Sequence, residues 1–279
     1  MQYVNPTNDL AFKKVFGSNE NIHILAGFIK DFFHIDPDGL TVENPYDIKA
    51  YKEIIKDKEQ VRMRATISDV AAVMSFADYR SEIQLRKTKY FNERSLYYPL
   101  SKFVSRYKVV EGESSPYAKL RSMYSMNVLG YNHFKEDEDA LRVFELYDPE
   151  RNKQFPKNLI KFGYFELNKS DVETENQRQW QNYFLQKPLS NDAPKYIRDA
   201  LQIIDRANIG EEELEMLTYD EYVKSVRDDE IAYAKEEGQK EVSTRIAIEL
   251  LKMGMPKEQI MQATKLSIDE VLQIESDLL

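Results

Sequence analysis

Hydrophobic residues near the N-terminus recur with the spacing of two amphipathic helices. In "NPTNDLAFKKVFG", residues 5–17, Thr7 or Asn8 can cap a helix whose apolar positions fall on one stripe and which Gly17 ends. Residues 18–34 carry apolar side chains every three or four positions and stop before the turn sequence "DPDG". These patterns predict two consecutive helices.

The polarity pattern then changes to that of a β-hairpin. The run "ATISDVAAVM", residues 65–74, is apolar on both faces, which is typical of a strand covered on both sides. After the loop "SFAD", the run "YRSEIQLR" at 79–86 alternates polar and apolar residues. Further strands are predicted in "LTVENPYDI" at 40–48, "LRSMYSMNVLGY" at 120–131, "ALRVFELYD" at 140–148 and "KNLIKFGYFEL" at 157–167.

An amphipathic helix is predicted between residues 89 and 108. Its apolar positions are Leu96, Leu100, Phe103, Val104 and Tyr107, and we expect Tyr97 to belong to the core. Pro99 interrupts this pattern. Because proline inside a helix removes a hydrogen bond and costs roughly 3 kcal/mol, it predicts a kink or two shorter helices.

The pattern is helical throughout after residue 170. Pro256 suits a first helical position, Ser267 and Glu270 form a capping box, and Leu266 with Val271 forms a hydrophobic staple. We therefore expect an α/β protein with a core in residues 1–170, a helical extension in 171–235 and a tail in 236–279 with a helix-turn-helix-like outline.

Composition narrows the possible chemistry and location. The absence of cysteine excludes disulfides, thiolate zinc sites and cysteine nucleophiles. No apolar run approaches the roughly 20 residues of a membrane span, and the N-terminus lacks a signal-peptide pattern, so we expect a cytoplasmic protein. The net charge of −9 argues against nucleic-acid binding over the whole surface, although basic residues cluster between 86 and 108.

Two acidic residues stand inside the predicted hairpin. If its turn centres near Ser75 and Phe76, Asp69 lies opposite Glu82, and Gln84 shares the face of Glu82. Facing carboxylates among apolar neighbours need a compensating charge, which a hard cation such as Mg²⁺ or Mn²⁺ supplies. The alternatives are that both acids pair with Arg64, Arg80 or Arg86, or that they mark a solvent-exposed strand face.

These residues resemble the PD-(D/E)XK nucleases. An Asp on one strand followed by Glu-x-Lys on the next is the pattern of that group, and "SDV" with "SEIQLRK" resembles the variant in which Gln replaces Lys. That variant is typical of the Rpn-type recombination-promoting nucleases, also described as PD-(D/E)XK nuclease family transposases. The opening "NPTNDLAFKKVFG" and the tail "LLKMGMPKEQIMQATKLSIDEV" are also similar to this group, although Lys265 stands where relatives usually have Gly.

The resemblance implies a restriction-endonuclease-like core and a metal-dependent enzyme that cuts DNA. Carried over to this sequence, Asp69, Glu82 and the carbonyl of Ile83 would bind the metal, and Gln84 would take the lysine position. Asp9 and Lys13 are accessory candidates, and the alternative for Asp9 is an acid at a helix N-terminus that the helix dipole stabilises. The expected contacts to DNA come from Arg86, Lys87, Lys89 and Arg94.

Two functions from different classes follow. The first is a Mg²⁺- or Mn²⁺-dependent DNA endonuclease of the recombination-promoting type. The second is a catalytically inactive nuclease fold that acts as a DNA-binding or protein-interaction module, because Gln84 carries no charge. The acidic residues of the tail argue against a helix-turn-helix that binds in a DNA groove. It suggests self-association or partner binding of the C-terminal helices through Ile260, Leu266, Val271 and Leu272.

Overall fold

The chain forms two compact units, Met1–Leu217 and Thr218–Leu279. The computed structural model describes residues 2–47, 70–107, 115, 117, 120–157 and 159–278. Residues 65–69 of the first predicted hairpin strand therefore lie outside the described residues. This group includes Asp69, and Arg64 also lies outside it.

Six strands of the first unit form one mixed sheet. In the order β1-β2-β3-β4-β8-β5 they are β1 Thr41–Val42, β2 Val70–Val73, β3 Ala77–Gln84, β4 Ser122–Leu129, β8 Ile160–Glu166 and β5 Leu141–Glu145. The pairs β3/β4 and β4/β8 are parallel and the other three pairs are antiparallel. The short strands β6 Tyr147–Asp148 and β7 Lys153–Gln154 form a separate pair. The predicted α/β class is confirmed.

The helices follow the predicted order along the chain. They are α1 Asp9–Phe16, α2 Ile22–Phe33, α3 Phe91–Ser105, α4 Glu175–Phe184, α5 Lys195–Ile203, α6 Glu211–Lys252, α7 Lys257–Thr264 and α8 Ile268–Leu278. Asn8 caps α1 as predicted, since its side-chain oxygen accepts hydrogen bonds from the backbone of Leu10 at 2.9 Å and Ala11 at 3.2 Å. In the described part of the chain, no helix combines the length and apolar character needed to cross a membrane.

One face of the sheet, here called the α2 face, carries the main hydrophobic core. The ring of Phe33 contacts Tyr79 of β3 and Tyr124 of β4, and the ring of Phe32 lies 4.7 Å from that of Phe165 on β8. Behind α2, aromatic rings of α1, α2 and α4 pack together; they include Phe12, Phe16, Phe28, Trp180 and Phe184. This packing positions the helices of the N-terminus and of residues 175–203 on a single side.

The opposite face of the sheet, here called the α3 face, is covered by α3. This helix continues through Pro99, so of the two predicted alternatives, a kink or two shorter helices, the second is wrong. Its buried residues are Phe91, Ser95 and Pro99, whereas Tyr97 and Val104 are 65% and 63% exposed. The expectation that Tyr97 belongs to the core is therefore wrong. The sheet presents polar groups to α3, so the helix turns a small polar side chain, Ser95, toward Tyr164 at 2.9 Å.

The hairpin has the predicted turn centre, with two differences. Val70 pairs with Ser81 and Val73 with Asp78, which places the centre between Ser75 and Phe76. Ala77 and Asp78 belong to β3 rather than to the loop, because they pair with Ser122 and Met123 of β4. Arg106 also binds the buried Asp78 carboxylate, at 2.5 and 2.9 Å. Within the described part of β2, alternate residues are buried and half-buried, so the predicted covering of both faces is incomplete.

The second unit has its own small core, formed by Ala247, Ile260, Leu266 and Val271. The predicted capping box is confirmed, since Glu270 accepts hydrogen bonds from the backbone and hydroxyl of Ser267 at 2.9 and 2.8 Å. Pro256 is the N-cap of α7 rather than its first helical residue. Ile260, Leu266 and Val271 are wrong as candidates for an exposed partner surface, because they are buried within this unit.

Replacing Lys265 by glycine is expected to stabilise the second unit. Lys265 ends α7 in the left-handed region, with φ of 60°. A side chain in this region is unfavourable, but glycine also adds freedom to the unfolded chain, so the net gain is at most about 1 kcal/mol. Differential scanning calorimetry of Lys265→Gly measures this gain. Lys235→Gly, an exposed position inside α6, is the control and should destabilise by about 1 kcal/mol; a lower transition for Lys265→Gly contradicts the explanation.

Candidate active site

Glu82 belongs to a row of side chains that crosses the three parallel strands. It pairs with Asn127 of β4, which pairs with Tyr164 of β8. Paired residues of neighbouring strands point to the same face of a sheet. The bond between Tyr164 and Ser95 of α3 identifies this as the α3 face. Glu82 therefore lies beside two buried polar side chains, Asn127 and Tyr164, in the layer between sheet and helix.

The carboxyl ends of β3, β4 and β8 meet at one edge of the sheet, close to Glu82. The backbone N–H of Gly130, just after β4, donates to the carbonyl of Gln84 at 3.0 Å. The side chain of Asn168, just after β8, donates to the carbonyl of Gly130 at 2.8 Å. The segments that follow the three strands thus lie side by side, and this edge is where α/β proteins commonly bind ligands.

The oxygen atoms at this edge fit a hard cation. Carbonyls of consecutive strand residues point to opposite neighbours. Since the Gln84 carbonyl faces β4, the Ile83 carbonyl faces the side of β2. The Glu82 carboxylate and Ile83 carbonyl are both of the ligand type that Mg²⁺ prefers. No group of three or more histidine or acidic residues suited to a metal occurs in the described part of the chain, from which Asp69 is missing.

The side chain of Gln84 is held by the loop that follows β3. Its amide nitrogen donates to the backbone carbonyl of Arg86 at 2.9 Å. This bond uses one of the two amide N–H groups, so Gln84 offers a ligand its amide oxygen as an acceptor and its second N–H as a donor, and neither carries a charge. The PD-(D/E)XK pattern has a lysine at this position. Here its ammonium group is replaced by the neutral amide of Gln84.

Two tyrosines share the neighbourhood of Glu82 and were not predicted from the sequence. Burial raises the pKa of Tyr131 to about 12; the charges of Glu82 and Glu166 add to this effect, and Arg94 opposes it. Burial, followed by the charge of Glu82, also raises the pKa of Tyr164. Both hydroxyls are therefore neutral at physiological pH. The signal in the sequence was weak: the polar residues Ser125 and Asn127 stand among the apolar residues of β4.

A buried ion pair anchors the loop that carries Tyr131. Glu166, at the end of β8, is fully buried, and the ammonium of Lys169 lies 2.9 Å from its carboxylate with only 1% of its side chain exposed. The same carboxylate accepts hydrogen bonds from the backbone of His133 and, at 3.1 Å, of Phe134. The segment after β4 is therefore fixed to the end of β8 at two consecutive backbone positions.

The predicted DNA contacts lie in and after the loop that leaves β3. Arg86, Lys87 and Lys89 are exposed there, and Arg94 is half-buried in the first turn of α3. Lys87 is close enough to the loop after β4 for its charge to lower the pKa of His133, an effect that adds to the larger one of burial. Exposed positive charge therefore borders the edge at which Glu82 and Gln84 lie.

The remaining candidate residues lie elsewhere in the first unit. Asp9 and the buried Lys13 belong to α1, which packs against α2 and α5 behind the α2 face, whereas Glu82 is on the α3 face. Arg80, considered as a partner of the acids, places its guanidinium over the ring of Tyr98, 4.9 Å from the ring centre. The structure thus groups Glu82, Ile83, Gln84 and the basic loop at one edge, with α1 in the opposite layer.

Comparison with known proteins identifies a family. The family model described as PD-(D/E)XK nuclease family transposase matches residues 6–236. The match covers the whole mixed sheet together with Asp69, Glu82 and Gln84. No curated protein and no solved structure matches the chain.

Proposed function

We propose that this chain, which belongs to the PD-(D/E)XK nuclease family transposases, is an endonuclease that hydrolyses DNA with a divalent cation. The observation that carries the proposal is the arrangement at the carboxyl edge of the sheet. Glu82 and the carbonyl of Ile83 lie there beside the amide of Gln84, next to a loop of exposed basic residues. This arrangement combines oxygen ligands for a cation with positive charge for DNA phosphates.

The cation would be held by Asp69, Glu82 and the carbonyl of Ile83. The register of the described pairs, Val70 with Ser81 and onward, predicts Asp69 opposite Glu82 when it is continued by one residue. Two facing carboxylates repel each other, so a site of this kind favours a divalent cation. When bound, Mg²⁺ or Mn²⁺ supplies an activated water and stabilises charge on the phosphate oxygens.

The other residues orient the reactants and balance charge. The amide oxygen of Gln84 accepts a hydrogen bond from the attacking water and so fixes its direction, but a neutral amide does not take its proton. Gln84 also lacks the positive charge of the lysine that it replaces, so another side chain must supply the positive charge next to the phosphate. Arg86 is better placed for this role than Lys13, because its backbone carbonyl already binds Gln84 at 2.9 Å, whereas Lys13 lies in α1.

Cleavage of supercoiled plasmid DNA tests the proposal. We expect nicked or linear product with Mg²⁺ and with Mn²⁺, and none when EDTA removes the cation. Intact plasmid in every cation, combined with retained DNA binding, would instead support the second function, an inactive nuclease fold that binds DNA. The neutral amide of Gln84 is the observation that favours this alternative.

Lys87→Gln combined with Lys89→Gln, which removes two positive charges, is expected to weaken DNA binding equally for all DNA sequences. Each phosphate contact contributes about 0.9 to the slope of log affinity against log salt, so the slope should fall by about 2. Fluorescence anisotropy with a labelled duplex over a salt series measures it. The control is Lys153→Gln with Lys187→Gln, which removes the same charge from exposed positions elsewhere. Equal slopes for both double variants would show that the loop does not contact DNA.

A further inference from the structure

Tyr131 lies at the edge of the sheet that carries the candidate active site. It is the second residue after β4, and the preceding Gly130 is bonded through its backbone to the carbonyl of Gln84 at 3.0 Å. The ring of Tyr131 contacts Phe91, the first residue of α3, with ring centres 6.1 Å apart. The side chain therefore lies on the α3 face, the face to which Glu82 also belongs.

The hydroxyl of Tyr131 is buried without a hydrogen-bond partner among the described residues. On the same face, the hydroxyl of Tyr164 is satisfied, since it lies 2.9 Å from that of Ser95. The hydroxyls of Tyr79 and Tyr183 are also buried without a partner among the described residues, but Tyr79 packs on Phe33 at the α2 face and Tyr183 on Trp180 in the core behind it. A buried hydroxyl that makes no bond is unfavourable. Of these three tyrosines, Tyr131 is the one on the face of Glu82, and the charges of Glu82 and Arg94 both act on it. A ligand bound at this edge can therefore complete the bonding of its hydroxyl.

The chemistry around the hydroxyl identifies that ligand as an anionic oxygen. Burial, and to a smaller extent the charges of Glu82 and Glu166, raises the pKa of Tyr131, so its hydroxyl stays protonated and can act as a donor. A neutral donor next to a cation-binding carboxylate and an arginine suits an oxygen on which negative charge grows during phosphoryl transfer. In a site that excludes water, such a donor is more effective than in solution.

We propose that the hydroxyl of Tyr131 donates a hydrogen bond to a non-bridging oxygen of the scissile phosphate, which makes Tyr131 a further catalytic residue. This inference rests on the proposed endonuclease function. It differs from a structural role, because the hydroxyl bonds no described residue, and the ring alone supplies the contact with Phe91.

Tyr131→Phe in the full-length chain tests the inference, because it removes only the hydroxyl. Thermal unfolding should be unchanged, and kcat for cleavage of a short duplex in Mg²⁺ should fall about 100-fold with KM unchanged. Tyr97→Phe, which removes an exposed hydroxyl from α3, is the matched control and should cut like the wild type.

Phosphorothioate substrates separate direct contact from a structural effect. Sulfur accepts hydrogen bonds weakly, so replacing the contacted oxygen at the mapped cleavage position should slow the wild type for one diastereomer. In Tyr131→Phe this additional loss should disappear for that diastereomer alone. A Tyr131→Phe enzyme that cuts at the wild-type rate, or that keeps the wild-type difference between diastereomers, would overturn the inference while leaving the endonuclease intact. A wild type without cation-dependent cleavage would overturn the endonuclease, and the inference with it.

Discussion

Glu82→Gln is expected to lower the rate of cation-dependent DNA cleavage by on the order of 1000-fold, which corresponds to about 4 kcal/mol of activation free energy. Glutamine has the shape of glutamate but lacks its charge, so the site loses half of the negative charge that we assign to cation binding. Plasmid nicking at several Mg²⁺ concentrations measures the loss. Circular dichroism should show an unchanged fold, since the substitution preserves volume.

The controls distinguish a metal ligand from a general charge effect. Asp69→Asn should cause a loss of similar size, and the double variant should lose little more than either single one, because the two residues act as a unit. Glu20→Gln removes an exposed carboxylate before α2 and should have no effect. Wild-type cleavage by Glu82→Gln would remove Glu82 from the mechanism.

Glu166→Gln is expected to lower the free energy of unfolding by about 3–5 kcal/mol. The substitution keeps an oxygen for the backbone N–H groups of His133 and Phe134 but leaves the ammonium of Lys169 buried without its main counter-charge. The carboxylate of Asp137 lies 3.4 Å from that ammonium and replaces only part of the lost counter-charge. Urea unfolding measures the change.

A double-variant cycle isolates the ion pair. Lys169→Met alone should also destabilise, because it leaves Glu166 buried and charged, whereas Glu166→Gln with Lys169→Met should lose clearly less than the sum. Additive losses would show that the pair contributes no coupling. A loss below about 1 kcal/mol for Glu166→Gln would mean that the charge of Lys169 is solvated or balanced elsewhere.

The hairpin and the N-terminal helices could be predicted from the sequence because local rules determine them. Asn8 caps α1 through the backbone two and three residues ahead. The register of β2 and β3 follows from the turn at Ser75 and Phe76 together with a two-residue period. Glu82, Ile83 and Gln84 could be proposed as site residues for the same reason, since a short motif on one strand defines them.

The orientation of α3 could not be predicted because it depends on distant strands. The apolar stripe that includes Leu96 and Val104 predicts a buried helix face, yet both residues are exposed. The sheet beneath α3 presents Asn127 and Tyr164, and the bond from Tyr164 turns Ser95 inward. Helical periodicity identifies the faces of a helix, but it does not show which face the rest of the protein covers.

Most of the site around Glu82 was missed for a related reason. Asn127 and Tyr164 lie next to Glu82 only through the parallel register of β3, β4 and β8. Parallel strands are joined by long connections, so no turn specifies their register in the sequence. Tyr131 lies near Glu82 for the same reason, with Glu166 and Lys169 holding its loop in place.

The position of Mn²⁺ in crystals soaked with this ion tests the central claim, that Asp69 and Glu82 together bind one divalent cation. Anomalous scattering should show a single peak within direct coordination distance of both carboxylates and of the Ile83 carbonyl. Carboxylates on opposite faces of the sheet, or each bound to an arginine with no peak between them, would contradict it.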